Sequence, residues 1–349
     1  MKKTLLLLVL CMVFSLFTGC GEKVNEQGYY SKLNVYNWGE YIDPQVLEDF
    51  EKEYGIKVYY ETYAGNEEML TKVQAGGTDY DVIFPSDYMI EAMVKEGLLQ
   101  ELDFNNLSNF KKIGDEFKNL PYDKDNKYSV PYLWGTIGIL YDTTKIKEDI
   151  DSWSAMWDEK YKGDIVMFDS VRDNIGIALK KLGYSMNTTD SHELEEAKKE
   201  LLKQKALVKA YDSDAYKDMM ASGEAGMSMC FLGDAMVLME ENQNLKYVLP
   251  KEGTNLWFDT MAVPVTSKHK KEAELFINYM MRPEVAAKCA EFVMYATPNN
   301  EGVKLLPEEI RENEIIYPKG NIFEKGEVFI DLGEFTTEYD RIWTEVKAY

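Results

Sequence analysis

The 349 residues are 45% hydrophobic, 13% aromatic and 29% charged, the make-up of a globular chain of about two domains at ~100–200 residues each. That excludes both a disulfide-stapled mini-protein and a disordered chain too poor in apolar residues to build a core. Acids outnumber bases 61 to 39, for a formal charge of -22; such a balance repels a nucleic-acid backbone and attracts cations, although a well-solvated surface explains it equally well.

In chain order, Lys2 and Lys3 precede an apolar run over 5–10 that continues to Phe14 and ends in Thr18-Gly19-Cys20. This pattern reads as a signal peptide over 1–19. It is short for a membrane span of ~20 residues, and nothing later approaches that length, so a soluble exported protein is expected. Residues 20–30 read as a polar tether. A strand is expected over 33–37, followed by a helix with Asp43 at the N-cap, Pro44 at the first position and Gly55 at the C-terminal cap. Alternation continues with a strand at 56–60, a helix at 67–74, a strand at 80–84 and a helix at 87–96 stopped by Gly97. A second series begins near 137–141, with strands at 165–168, 207–211 and 225–230 and helices at about 172–181, 191–203 and 214–222. Asp190 and Glu193 have the spacing of a capping box. Strands alternating with helices predict mostly parallel α/β sheets in two lobes.

Motifs for common chemistries are missing. The two histidines, His192 and His269, sit among charged neighbours on expected helix surfaces, and His192-Glu193 has no second histidine four positions on. No G-x-S-x-G elbow, phosphate loop or C-x-x-C pair occurs, so no metal or cofactor is expected. Paired carboxylates still leave glycoside hydrolysis open. Cys230 and Cys289 lie in apolar context and are expected as buried thiols, not a bridge. The methionines at 219, 220, 227, 229, 236 and 239 have the spacing of core packing, and the sequon Asn187-Thr188-Thr189 is set aside.

Four clusters carry more information: Trp38-Gly39-Glu40-Tyr41, Ser86-Asp87-Tyr88, Phe231-Leu232-Gly233-Asp234 and Trp257-Phe258-Asp259. Each is expected at a strand-to-helix turn, where open α/β sheets bind ligands. Each joins aromatic rings to a carboxylate. Ring faces attract cations by roughly 0.5–2 kcal/mol apiece, and carboxylates add charge-assisted hydrogen bonds, a combination suited to alkyl ammonium groups.

Six segments, YNWGEYIDP (36–44), FPSDY (84–88), YSVPYLWG (128–135), ALKKLGYSMNTTD (178–190), PKEGTNLWFDTMAVP (250–264) and YATPNN (295–300), resemble the spermidine/putrescine-binding proteins of bacterial ABC importers. The resemblance runs from about residue 32 nearly to the end. It implies a two-lobe periplasmic-binding-protein-like clamshell of type II with crossing hinge segments, lobe 1 at 29–135 plus 258–303 and lobe 2 at 136–257 plus 304–349. By position, Trp38 and Trp257 would wall the methylene chain, with Tyr41, Tyr88 and Tyr295 completing the lining and Phe231 standing where the family usually has tryptophan. Asp259 would meet an amine, with Asp173 at a glutamate position and Glu40 at an acidic one; Ser86 and Ser213 would be polar contacts. Ser170 and Phe329, where spermidine binders carry aspartate and glutamine, and Asp234, found in the putrescine branch, lean toward putrescine. Glu40, Tyr88 and Trp257 follow the spermidine branch. Phe17-Thr18-Gly19-Cys20 resembles a lipobox, with Phe17 in place of the commoner leucine, and implies a lipid on Cys20 that holds the exported protein at the membrane. A monomer that delivers polyamine to a permease is implied. The alternatives are the same receptor for another organic cation, and a carboxylate-based surface hydrolase.

Overall fold

The computed structural model describes residues 24–76, 79–319 and 322–349. The segment read as a signal peptide, residues 1–19, and Cys20 lie outside the described residues. Strand β1 (Lys32–Trp38) runs into α1 (Pro44–Tyr54), β2 (Lys57–Tyr63), α2 (Asn66–Gln74), β3 (Val82–Ile83) and α3 (Asp87–Lys95). Local chemistry sets these boundaries. The Asp43 carboxylate accepts from the Gln45 N–H at 2.8 Å, Pro44 fills the first position, and Gly55 ends α1 at φ 64°, a left-handed conformation that glycine adopts without strain. Val46 and Phe50 form the buried face of that helix.

A single long strand, β4 (Ser129–Asp142), then crosses the molecule, followed by β5 (Ile165–Met167), α4 (Val171–Leu182), α5 (Ser191–Lys205) and β6 (Val208–Tyr211). After these come α6 (Tyr216–Ala221), β7 (Met227–Phe231), α7 (Leu232–Glu241), β8 (Leu245–Val248), β9 (Leu256–Ala262), α8 (Lys270–Met280) and α9 (Pro283–Val293). The sheet order is β2-β1-β3-β9-β4-β7-β5-β6, with β8 also on β4. The outer strands of each half pair in parallel, β1 with β2 and β3, and β5 with β6 and β7. The pairs of β4 and β9 are antiparallel. Residues 129–136 of β4 pair with β9, whereas 137–142 pair with β7 and β8, so the strand changes partners at Thr136/Ile137. The C-terminal helix Thr336–Ala348 packs on α4 and α5 through Tyr339, Ile342 and Val346. Among the described residues no helix is long and apolar enough to cross a membrane.

Four readings of the sequence need correction. The strand expected at 137–141 begins eight residues earlier, in Ser129, because the preceding segment pairs with β9. Residues 24–30 are no free tether: Val24 bridges Tyr30, Asn25 donates to the Tyr54 carbonyl at 2.6 Å, and Tyr30 stacks on His269 with centroids 3.7 Å apart. His269 is therefore largely covered, with its Nδ1 3.1 Å from the buried Asp81 carboxylate, while His192 is exposed as expected. Asp190 caps α5, but Glu193 takes its hydrogen bond from the Thr188 hydroxyl instead of reaching back to the Asp190 N–H. Cys230 and Cys289 are separate buried thiols, and Asn187 is engaged by the Arg172 guanidinium and the Val328 carbonyl.

Candidate functional site

The carboxyl ends of the parallel strands of both halves open on one cleft of about 1410 Å3. That is larger than the ~300–1,000 Å3 of a fitted small-molecule pocket, as for a groove between two lobes. β1 delivers Trp38, Glu40 and Tyr41; β3 delivers Ser86 and Tyr88; β5 delivers Ser170 and Asp173; β7 delivers Phe231 and Asp234. Ser213 follows β6, Tyr295 follows α9, and Phe329 comes from the C-terminal segment. Trp257 and Asp259 also line the cleft, but from within β9 and not from a turn, since β9 pairs with β4 on both sides of a register shift between Pro131 and Leu133. All fourteen residues singled out for ligand contact or selectivity thus meet in one place.

Asp259 is the centre of the best-defined part. It is buried, accepts from the Ser86 hydroxyl at 2.6 Å and from the Tyr41 phenol at 2.5 Å, and its strand bridges Ser86. Burial pushes its pKa up from 3.8 to about 6, against the pull of the Ser86 and Tyr41 hydrogen bonds. Removal from water disfavours the charged form, and the two hydrogen bonds offset only part of that cost. Asn66 holds the neighbouring groups, donating to the Ser86 hydroxyl at 3.1 Å and to the Tyr88 phenol at 3.0 Å. Behind them, Asp87 accepts the N–H groups of Tyr88 at 2.6 Å and Phe258 at 3.1 Å, and burial pushes its pKa up to about 8.

Rings surround this carboxylate. Trp257 and Tyr295 meet edge to face with centroids 4.7 Å apart, Tyr41 and Tyr295 lie 6.1 Å apart, and Phe231 stacks on Phe168 at 4.7 Å with its edge toward Trp257 at 6.5 Å. Trp38 is oriented by its Nε1–H on the Phe84 carbonyl at 2.9 Å and by Tyr63 at 4.7 Å. Glu40 stands exposed at the rim with φ 51°, a left-handed conformation uncommon for this residue type and held between Gly39 and the buried Tyr41. On the opposite wall, the Asp234 carboxylate accepts from the Tyr216 phenol, and Ser213 accepts the Asp169 N–H at 3.0 Å. Ser170 caps α4 and donates to Asp173 at 2.6 Å; burial raises the Asp173 pKa.

Several lining residues escaped the sequence reading, among them Asn66, Glu67 and Arg172. Asn66 opens α2 at the end of β2, one more strand-to-helix turn that the same topological rule covers. Glu67 next to it accepts from Tyr88 at 3.3 Å. Arg172 is the surprise in an acidic cleft: its guanidinium lies 4.4 Å from the Phe329 ring centre and donates to the Ile330 carbonyl at 2.9 Å. Nothing but its place beside Asp173 marked it. Among the described residues no group of three or more His, Cys, Asp or Glu side chains gathers as a metal site.

An α/β sheet crossed by shared strands, with an aromatic and acidic cleft at its switch point, is the architecture of a solute receptor. The chain belongs to the bacterial extracellular solute-binding protein family, whose model matches residues 45–317. Within that class it is 39% identical over 318 residues to the spermidine/putrescine-binding periplasmic protein of Salmonella typhimurium, covering 90% of this chain and 91% of that one. It is 33% identical over 340 residues to the putrescine-binding periplasmic protein PotF of Escherichia coli, covering 90% and 91%. In structure it resembles the spermidine/putrescine ABC transporter substrate-binding protein PotD of Streptococcus pneumoniae with a TM-score of 0.88 at 42% identity, over 91% of this chain and 99% of that one. These relatives are binding proteins and not enzymes, so the surface-hydrolase alternative falls away.

Proposed function

We propose that this chain is an extracytoplasmic receptor that captures a polyamine, putrescine or spermidine, and delivers it to the permease of an ABC importer. The observation that carries the reading is Asp259: a buried carboxylate, hydrogen-bonded on both oxygens, ringed by aromatic side chains and, among the described residues, in no ion pair. An ammonium group would restore the lost solvation of that charge, and ring faces would cover the methylenes that join it to the next amine. In this reading Trp38, Trp257 and Phe231 wall the chain, Tyr41, Tyr88 and Tyr295 complete the lining, and Glu40, Asp173 and Asp234 receive the remaining amines. Ser86 and Ser213 are polar contacts from either side. Ser170 and Phe329 are apolar or uncharged where a third amine would need a partner, which with Asp234 favours the diamine.

The lobes divide at 29–135 plus 258–303 and 136–257 plus 304–349, and ligand selects the closed arrangement by binding it better. A lipid on Cys20 holds the monomer at the membrane. Residues 21–349, unfolded and refolded to shed carried ligand, are tested by thermal unfolding with putrescine, cadaverine, spermidine and spermine. Binding to the native state raises the melting temperature through RT ln(1 + [L]/Kd). The largest shift is expected with putrescine; no shift with any of the four would overturn the polyamine assignment.

A further inference from the structure

Two glycines lie under the aromatic cage. A Cβ added to Gly135 would come 2.4 Å from Cζ2 and 2.9 Å from Cε2 of Trp257. One added to Gly233 would come 2.2 Å from Cε1 and 2.6 Å from Cζ of Tyr295, where ordinary contact begins at 3.4 Å. Neither glycine has a positive φ, so the backbone does not call for glycine at either position. Gly135 sits inside β4, where glycine costs about 0.5–1 kcal/mol relative to alanine, and Gly233 lies in the first turn of α7. What they supply is room. Gly135 is the direct cross-strand partner of Trp257, whose ring folds over it into the space of the missing methyl. Gly233 belongs to the β7 side of the cleft and Tyr295 to the other, so this contact spans the groove. Tyr295 in turn meets Trp257, and Tyr41, which donates to Asp259, lies beside it.

We infer that Gly135 and Gly233 are positioning residues of the binding site: the absent Cβ atoms seat Trp257 and Tyr295 and thereby set the width of the slot and how closely the two sides approach. The inference rests on the polyamine reading for the ligand used, but the ring positions can be read without any ligand. Overpacking moves rings and costs about 1–3 kcal/mol, which at about 1.4 kcal/mol per tenfold is roughly 5- to 150-fold in affinity.

The test combines Gly233→Ala and Gly135→Ala with calorimetric titration of putrescine and spermidine, each repeated in a Tyr295→Ala or Trp257→Ala background. Gly233→Ala is expected to weaken binding by at least about fivefold in the wild-type background and to add nothing once Tyr295 is truncated. An equal loss in both backgrounds would overturn the inference for Gly233. In ligand-free protein labelled with 5-fluorotryptophan, Gly135→Ala should shift the fluorine resonance that Trp257→Phe removes; an unmoved resonance would overturn it for Gly135. If Gly135→Ala does not fold, the Gly135→Ala/Trp257→Ala double variant, in which the room is restored, should fold, and its failure too would count against the inference. A wild-type protein that binds no polyamine would refute the ligand assignment, while the fluorine experiment would still decide the role of Gly135.

Discussion

Replacing Asp259 by asparagine should separate binding from stability in opposite directions. In the ligand-free protein the carboxyl titrates at about 6 instead of 3.8. A carboxyl whose folded pKa is raised makes no demand below pH 3.8, opposes folding increasingly between 3.8 and about 6, and does so fully above that. At about 1.36 kcal/mol per pH unit the cost at neutral pH is on the order of 3 kcal/mol. Asparagine keeps an acceptor for Ser86 or Tyr41 and removes the charge. Ligand-free Asp259→Asn is therefore expected to be more stable than wild type at pH 7.5, by up to about 3 kcal/mol in urea, with the advantage shrinking as pH falls toward 4. Putrescine affinity should drop by about 2–5 kcal/mol, the loss usual for one partner of a buried charge pair. Urea unfolding across pH, with calorimetric titration at pH 7.5, reads both. Lower ligand-free stability at pH 7.5 together with unchanged affinity would refute the account of Asp259 as an uncompensated charge awaiting a cation.

Because an ammonium needs the ionised form, wild-type affinity should fall by up to tenfold per unit as the pH drops below about 6, a dependence that Asp259→Asn should weaken in pH-resolved titrations. Burial pushes the Asp87 carboxyl up to about 8, and its two oxygens each accept one buried N–H, so Asp87→Asn, which keeps one acceptor and turns its amide donor toward the other N–H, should cost about 1–3 kcal/mol in urea, and Asp87→Ala, which strands the N–H groups of both Tyr88 and Phe258, about twice that. Ser170→Asp with Phe329→Gln should raise the spermidine-to-putrescine affinity ratio by at least tenfold; an unchanged ratio in parallel titrations would remove both positions from selectivity. Native residues 21–349 should react negligibly with Ellman's reagent and release two thiols once unfolded, since Cys230 and Cys289 are both buried and unpaired.

Elements with local signals were legible in the sequence. Asp43-Pro44 and Gly55 bracket α1 because caps and helix breakers act over a few residues. Three of the four aromatic and acidic clusters fall at strand-to-helix turns, where alternating strands and helices place them. The fourth does not: Trp257 and Asp259 project from inside β9, and what brings Asp259 to Ser86 is a strand pairing across 173 residues. Such register depends on the whole sheet and leaves no local trace. The docking of residues 24–30 escaped for the same reason, since its partners, Tyr54, His269 and Glu272, lie far along the chain while the segment itself is polar and unpatterned. Arg172 was masked because the chain carries 39 lysines and arginines and nothing local distinguishes those at the cleft from the rest.

The unbroken course of β4 past Thr136/Ile137 has a consequence for the thermodynamics of capture. Were the halves joined by a slack linker, assembling the cage around a small cation would cost the freedom of one half to wander relative to the other. Here a continuous strand and its hydrogen-bonded neighbours limit that freedom to bending and twisting about one narrow band of sheet, so each wall stays at high effective concentration beside its opposite. Most of the entropy of bringing the walls together has already been lost when the chain folds, and a ligand with only a few methylenes and two charges has correspondingly less to supply.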